Sequence, residues 1–278
     1  MTAAPATDRF IAVVRRPAPA LAERCELTFL ERTAMSFARL ERQHAAYRDA
    51  LTAAGAEVVV LDAIDTLPDS VFVEDAAVVL DELAVLTRPG AVSRQPEIDR
   101  IEAAVAQHRA IVERIRAPGT LEGGDVLRIG RRLFVGLTTR TNREGLAQLA
   151  AIVQPHGYAV VAVPVVGSLH LKTACTALDA QTLLLNPAWL VDGIDAAPFA
   201  GFETIAVHAD EPFAANVLPL GACLIANAAF PRTLERVSAH AQRTGLRILP
   251  VDISEFGKAE AGLTCMSLVF AGRRPECA

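Results

Sequence analysis

The sequence repeats one grammar at intervals of about 50 residues, and that recurrence leaves few folds open to it. Two short apolar runs joined by a tight turn are followed by a loop, a helical stretch and a third apolar run. The pattern strand–strand–helix–strand fits Ala76–Leu80, Leu83–Thr87, a helix near 96–108 and Ile111–Ile115. It fits again over Asp125–Ile129, Leu133–Leu137, a helix near 143–153 and Tyr158–Val163. A third copy runs from Leu171 to the strand Glu203–His208, but Asn186-Pro187 and Asp192-Gly193 predict mostly loop where its helix would lie. The fourth has Asn216–Leu220, Cys223–Asn227, a helix opened by Pro231 and the strand Leu246–Ile253. The last strand, Thr264–Ala271, lacks a helix of its own. Phe10–Arg15, a helix from Phe37 to Ala54 and Glu57–Asp62 can complete it. In that helix Phe37, Leu40, His44, Tyr47 and Leu51 repeat at helical spacing, Ser36 is placed to cap the start, and Gly55 ends it. An open sheet of parallel βαβ units lacks tight hairpins before every helix. The chain therefore reads as about five units in a closed ring, with the termini meeting in one blade.

Composition is consistent with this. Of 278 residues, 52% are apolar, enough to bury a sizeable core. Residues 1–9 read as a flexible tail and 10–278 as one catalytic α/β domain, with no linker or low-complexity tract. The net charge of −5 argues against nucleic acid as a partner and suits a small cationic substrate. Five cysteines (Cys25, Cys175, Cys223, Cys265 and Cys277) make an odd set without a CxxC pair, so neither a disulfide framework nor a zinc ribbon is expected. A cytoplasmic, reducing compartment is the simplest. The N-terminus shows no secretory pattern, and the apolar stretch Tyr158–Val166 is too short for a membrane span. The composition admits a homodimer.

Polar residues recur with the repeat. Glu74, Glu122, His170, Asn216 and Cys265 follow one another at intervals of 48, 48, 46 and 49 residues, each just before or at the start of a strand-like run. Equivalent positions in a ring face a common axis. Acids, an imidazole and a thiol then converge on one pocket, which is the make-up of a cysteine hydrolase centre.

The motifs around these positions are PDSVFVED (68–75), LEGGD (121–125), RTN (140–142), HLKT (170–173) and GKAEAGLTCMS (257–267). In this order and spacing they resemble the dimethylarginine dimethylaminohydrolases, within the guanidine-modifying, arginine-deiminase-like superfamily. The resemblance runs from about Arg15 to Phe270. It implies a five-bladed α/β propeller with a central, nearly enclosed site, and Cys265 as nucleophile. A guanidinium carbon is a poor target for water, whereas a thiolate adds to it, expels an amine and leaves a thiouronium that water opens. A thiol with a pKa of about 8.5 needs positive charge nearby to ionise at neutral pH, and a cationic substrate would bring it.

The same resemblance implies His170 as general acid and then base, with Glu122 orienting its ring. Imidazole suits both roles because its pKa of about 6.5 lies close to working pH. Asp75, helped by Glu74 and Asp69, would hold the guanidinium. Glu74 and Asp75 are neighbours, so both face a pocket only if the strand ends or bends there. Arg94, in GAVSR, and Arg140 match the family's carboxylate-binding arginines, whose planar forks suit a carboxylate. Glu260 takes the place of an acid that precedes the nucleophile in relatives, although there the next residue is glycine and here it is Ala261. Cys25 falls where relatives carry an apolar lid residue.

No metal or cofactor is called for, since HExxH, GxxxxGK and GxGxxG patterns are absent. The implied reaction is hydrolysis of Nω-methylated arginine to citrulline and an amine. Arginine deimination, or hydrolysis of another alkylguanidine, is the sibling alternative. A non-catalytic propeller, such as the ribosome-associated initiation factors with similar blades, is the alternative of another class. The set Cys265, His170 and Glu122 speaks against it.

Overall fold

A computed structural model describes residues 9–191, 193 and 197–272. Most of the expected N-terminal tail, Asp192 and Cys277 lie outside the described residues. The chain forms β1 (Phe10–Arg15), β2 (Ala56–Leu61), β3 (Ala77–Val79), β4 (Leu83–Leu86), β5 (Ile111–Arg114), β6 (Val126–Ile129), β7 (Arg132–Leu137) and β8 (Ala159–Pro164). There follow β9 (Cys175–Ala177), β10 (Thr182–Leu185), β11 (Glu203–Ala206), β12 (Leu218–Leu220), β13 (Cys223–Asn227), β14 (Arg247–Val251) and β15 (Leu268–Ala271).

These make five three-stranded sheets in the orders β15-β1-β2, β3-β4-β5, β6-β7-β8, β9-β10-β11 and β12-β13-β14. Each middle strand is antiparallel to the first and parallel to the third. The first blade borrows β15 from the C-terminus, so the ring closes through the two ends of the chain, as the sequence led us to expect. The fold is a five-bladed α/β propeller.

Each blade has the same local logic. A short turn makes the antiparallel pair, and at Gly130 (φ +60°) and Gly221 (φ +57°) it uses the left-handed backbone that glycine adopts freely. A parallel return needs a crossover. Helices Phe37–Ala53, Asp99–Ala106, Arg143–Val153 and Pro231–Thr244 provide four. The β10–β11 crossover has no α-helix among its described residues and instead uses 3₁₀ turns, including Pro187–Trp189 and Ala197–Phe199, in line with its Asn-Pro and Asp-Gly composition. Ser36 stands at the N-cap of the first of these helices, but its hydroxyl makes no capping bond. Instead its backbone N–H donates to Glu255 Oε1 at 2.6 Å, tying the helix start to the segment before the nucleophile.

Both faces of each blade are buried, which explains why the middle strands read as continuous apolar runs. Side chains alternate across a strand. On β7, Leu133 and Val135 enter one apolar cluster and Phe134 the next. On β1, Ile11 and Val13 face one neighbour and Ala12 and Val14 the other. Five such clusters lie between adjacent blades. The first strands line the axis, around a cavity of about 440 Å³ touched by β3, β6, β9, β12 and β15. Among the described residues no helix is long and apolar enough to cross a membrane.

Candidate active site

The residues at the strand entrances do not start strands; Glu74 and Cys265 sit on single helical turns, and Glu122 and His170 cap the start of such turns. Val73–Ala76, Gly123–Asp125 and Thr264–Met266 are 3₁₀ turns, and Leu171–Ala174 is one turn of α-helix. The expected strand Thr264–Ala271 thus begins only at Leu268, and the expected strand at Asp125 begins at Val126. A turn breaks the strict alternation of a strand. It lets adjacent Glu74 and Asp75 both turn inward, though to different levels of the ring.

His170, 2% exposed, meets Glu122 through Nε2···Oε2 at 2.6 Å, and Asp75 Oδ1 lies 3.8 Å from the same nitrogen. Gly124 closes this arrangement. A Cβ there would fall 2.7 Å from both His170 Nδ1 and Asp75 Oδ1, so only glycine lets the ring and the carboxylate approach. Its backbone N–H donates to Asp75 Oδ1 at 2.9 Å. Burial disfavours a charged imidazole, but the carboxylates of Asp75, Glu122 and Asp125 outweigh it and push His170 up to about 9. Burial also opposes ionisation of Asp75 and Glu122, yet His170, with Arg94, holds both below the ordinary carboxylate range. The ground state is an imidazolium among carboxylates.

Cys265 opens onto the same cavity. The Gly262 N–H points at its Sγ from 3.3 Å. Burial, and then the negative charge of Glu74 and Asp75, push the thiol up. The site therefore holds a neutral thiol and a charged imidazole.

The cavity is also lined by Asp69, Phe72, Arg94, Arg140 and Glu260. Arg94 spans its wall: Nη1 donates to Asp75 Oδ2 at 2.7 Å, while Nε and Nη2 grip Glu97 at 3.1 and 2.9 Å. Arg140 Nη1 donates to Glu122 Oε1 at 3.3 Å and Nη2 to Thr28 Oγ1 at 3.0 Å. The segment 25–30 lies over the opening. Asp69 accepts the Glu26 N–H at 3.1 Å, and Glu260 accepts those of Thr28, Phe29 and Leu30 at 2.5–3.1 Å. Glu260 is the one non-glycine residue with positive φ (+59°) among those described. The loop thus bends at the acid itself, before reaching Ala261 and Gly262. The enclosed space is about 20 Å³, close to what one water needs.

Glu74 stands apart. It does not line this cavity; its Oε1 takes Lys172 Nζ at 2.5 Å and its Oε2 takes Thr264 Oγ1 at 2.7 Å. The pair forms a floor between the site and the axial cavity, where Glu74, Lys172 and Thr264 are all wall residues. Asp75, Glu122 and His170 place three donor atoms within 4.8 Å of one another, close enough to share a cation. Their charges are already met by one another, Arg94 and Arg140, as in a hydrogen-bonded ion network. Sequence reasoning missed Glu97 and Asp125. Glu97 is signalled only by its i+3 spacing from Arg94. Asp125 closes the LEGGD motif and accepts the Leu171 N–H at 2.9 Å, holding the turn that carries His170.

A family model described as arginine deiminase matches residues 27–200. The chain is 42% identical over 258 residues to the N(G),N(G)-dimethylarginine dimethylaminohydrolase of Streptomyces coelicolor, covering 92% of this chain and 95% of that one. It is 36% identical over 259 residues to the protein of the same name from Pseudomonas aeruginosa, covering 93% and 98%. A crystal structure of the Pseudomonas aeruginosa protein, a cysteine-to-serine mutant complexed with citrulline, superposes with a TM-score of 0.87 at 35% identity, over 94% of this chain and 100% of that one. Kinship on this scale, over nearly the whole of both partners, makes this chain a member of the dimethylarginine dimethylaminohydrolase family.

Proposed function

We propose that this chain hydrolyses Nω-methylated L-arginine to L-citrulline and dimethylamine or methylamine, through a covalent intermediate on Cys265. The observation that carries the reading is the convergence on one small cavity of a thiol, an imidazolium paired to a carboxylate, a buried aspartate and two buried arginines. Kinship to the dimethylarginine dimethylaminohydrolases points the same way. The residues come from several turns around the axis, so we read the ring from residue 10 onward as one catalytic unit. The four free cysteines among the described residues suit the cytosol.

The guanidinium of the substrate binds beside Asp75, with Glu74 adding negative charge from the floor. Arg94 and Arg140 take the α-carboxylate, and Asp69 helps hold the amino-acid end. Burial and the nearby acids keep the thiol neutral; the arriving cation offsets the acids, so Cys265 releases its proton to solvent only in the complex. Its thiolate attacks the guanidinium carbon. His170, poised as imidazolium by Glu122, gives its proton to the departing amine, leaving a thiouronium on Cys265. The now neutral His170 takes a proton from water. Hydroxide adds to the same carbon, the C–S bond breaks with the electron pair returning to sulfur, the hydroxyl proton passes to solvent, and citrulline leaves with the thiolate restored. Asp69 and Glu260 hold segment 25–30 over the cavity, and that segment lifts to admit a substrate larger than the present space.

The test is product analysis with asymmetric dimethylarginine and arginine side by side, scoring citrulline together with dimethylamine or ammonia. Preference for the dimethylated substrate is expected. Preference for arginine with ammonia release would make the chain a deiminase using the same residues. Citrulline from neither would leave the substrate open and favour a binding role.

A further inference from the structure

The fifth blade (β12-β13-β14) contributes no residue to the wall of the catalytic cavity. At the position equivalent to the acids, the histidine and the cysteine of other blades it carries Asn216, which is buried at 4% exposure. The entrances to the blades are stitched together laterally. Asp75 accepts the Gly124 N–H at 2.9 Å, Asp125 that of Leu171 at 2.9 Å, Thr176 Oγ1 that of Val217 at 3.2 Å, and Asn216 Oδ1 that of Thr264 at 3.0 Å. Thr264 Oγ1 closes the circle by donating to Glu74 at 2.7 Å. In each link a side chain from one blade entrance fixes the next.

The link at Asn216 differs in making two connections. Its Nδ2 donates to the Lys172 carbonyl at 2.9 Å and to Thr264 Oγ1 at 3.0 Å. Lys172 is two residues from His170, and Thr264 is next to Cys265. One amide therefore joins the turn that carries the imidazole to the turn that carries the thiol. The two partners also fix which way it points, since a backbone N–H needs the oxygen and a carbonyl needs the nitrogen. Aspartate would set an oxygen against the Lys172 carbonyl, and alanine would remove the partner of that carbonyl and of the buried Thr264 N–H. Packing adds a third restraint. A methyl on Gly262 would overlap the Asn216 amide, and the Gly262 N–H is the group that faces Cys265 Sγ.

We propose that Asn216 is a positioning residue that sets where the Cys265 sulfur lies relative to His170. It touches no substrate and acts through the turns it joins. The proposal rests on the reading of Cys265 as nucleophile for its turnover readout, and on geometry alone for its thiol readout.

The experiment is a double-substitution cycle: Asn216→Ala, Gly262→Ala and the two combined, with Asn216→Asp as a further variant. Turnover and alkylation of Cys265 by iodoacetamide, read by peptide mass, are measured on all. Asn216→Ala is expected to lower kcat by about 10²-fold, as a displacement of about 1 Å would. KM should stay within about threefold, because Asp75, Arg94 and Arg140 keep their own supports. Cys265 should alkylate faster as its turn loosens, while Cys175, buried in a separate core, stays unchanged. Gly262→Ala should act in the same direction. In the double variant the methyl enters the space that the amide vacated, so the two losses should not multiply. Asn216→Asp keeps the acceptor for Thr264 and loses the donor to Lys172; it should also lose kcat, and it serves if alanine does not fold. A kcat within about twofold of wild type for the folded Asn216 variants, or losses that multiply in the cycle, would overturn the proposal. Equal acceleration at Cys265 and Cys175 would show general loosening and overturn it too. Wild-type protein that makes no citrulline would refute the proposed reaction alone, and the alkylation cycle would still decide on Asn216.

Discussion

His170 Nε2 lies 2.6 Å from Glu122 Oε2 in a place where both are essentially out of contact with water. Paired in this way, the imidazole is held near 9 and enters the reaction as an acid. His170 is therefore fully able to donate its proton at neutral pH, and the alkaline limb of the pH–rate profile should fall as pH rises through about 9. Glu122→Gln removes one of the charges that raise the histidine, so that limb should move to lower pH, with a loss of about 10²-fold at the optimum. A pH–rate profile on the two proteins checks both.

The same shift has a stability consequence. The folded value near 9 lies above the ordinary imidazole value of 6.5, so the charged pair contributes its full stabilisation below about 6.5 and loses it as pH rises through about 9. The difference in Tm between wild type and His170→Gln should shrink over that interval. A difference that grows with pH would contradict the assignment.

Burial, and then the negative charge of Glu74 and Asp75, push the Cys265 thiol up. A bound arginine analogue brings positive charge to them, so the Cys265 pKa should drop on binding. Thiolate absorbance titrated with and without the analogue reads this directly. The same pKa in both states would refute substrate-assisted ionisation.

Glu260 accepts the N–H groups of Thr28, Phe29 and Leu30 and thereby holds the segment over the cavity. Hydrogen bonds to a charged group contribute about 1.5–3 kcal/mol. Glu260→Ala should raise KM by at least about tenfold and speed proteolysis within residues 25–35. Limited proteolysis beside steady-state kinetics measures both effects.

Glu97 is buried against Arg94. Removing one partner of a buried pair costs about 3–5 kcal/mol. Glu97→Ala should lower Tm and raise KM through a misplaced Arg94, with a smaller effect on kcat. A kcat loss with KM unchanged would show that Arg94 does not hold the substrate.

The ring was legible because two periods coincide in the sequence: apolar runs and polar residues both recur at about 50 residues. Helices with a clear apolar stripe, such as Arg143–Val153, appear where expected, and the lack of an α-helix among the described residues of the β10–β11 crossover was foreshadowed by Asn186-Pro187. The entrances to the blades were harder. Short apolar segments such as 264–271 look like strand throughout, and nothing local marks the single turn that carries Cys265. The recurrence also singled out Glu74, whereas the acid at that entrance that faces the cavity is its neighbour Asp75. Glu74 turns inward at another level, where it meets Lys172, some 98 residues away in sequence. Glu260 and the segment 28–30 are separated by more than 200 residues, and no local pattern announces that pairing.

The most direct test of the central claim is mass analysis of protein quenched in acid during turnover of asymmetric dimethylarginine. The account expects an adduct on the peptide containing Cys265, heavier by the substrate less dimethylamine, which disappears as substrate is exhausted. It also expects neither adduct nor citrulline from Cys265→Ser. An unmodified Cys265 throughout turnover, with near-normal activity in the serine variant, would contradict it.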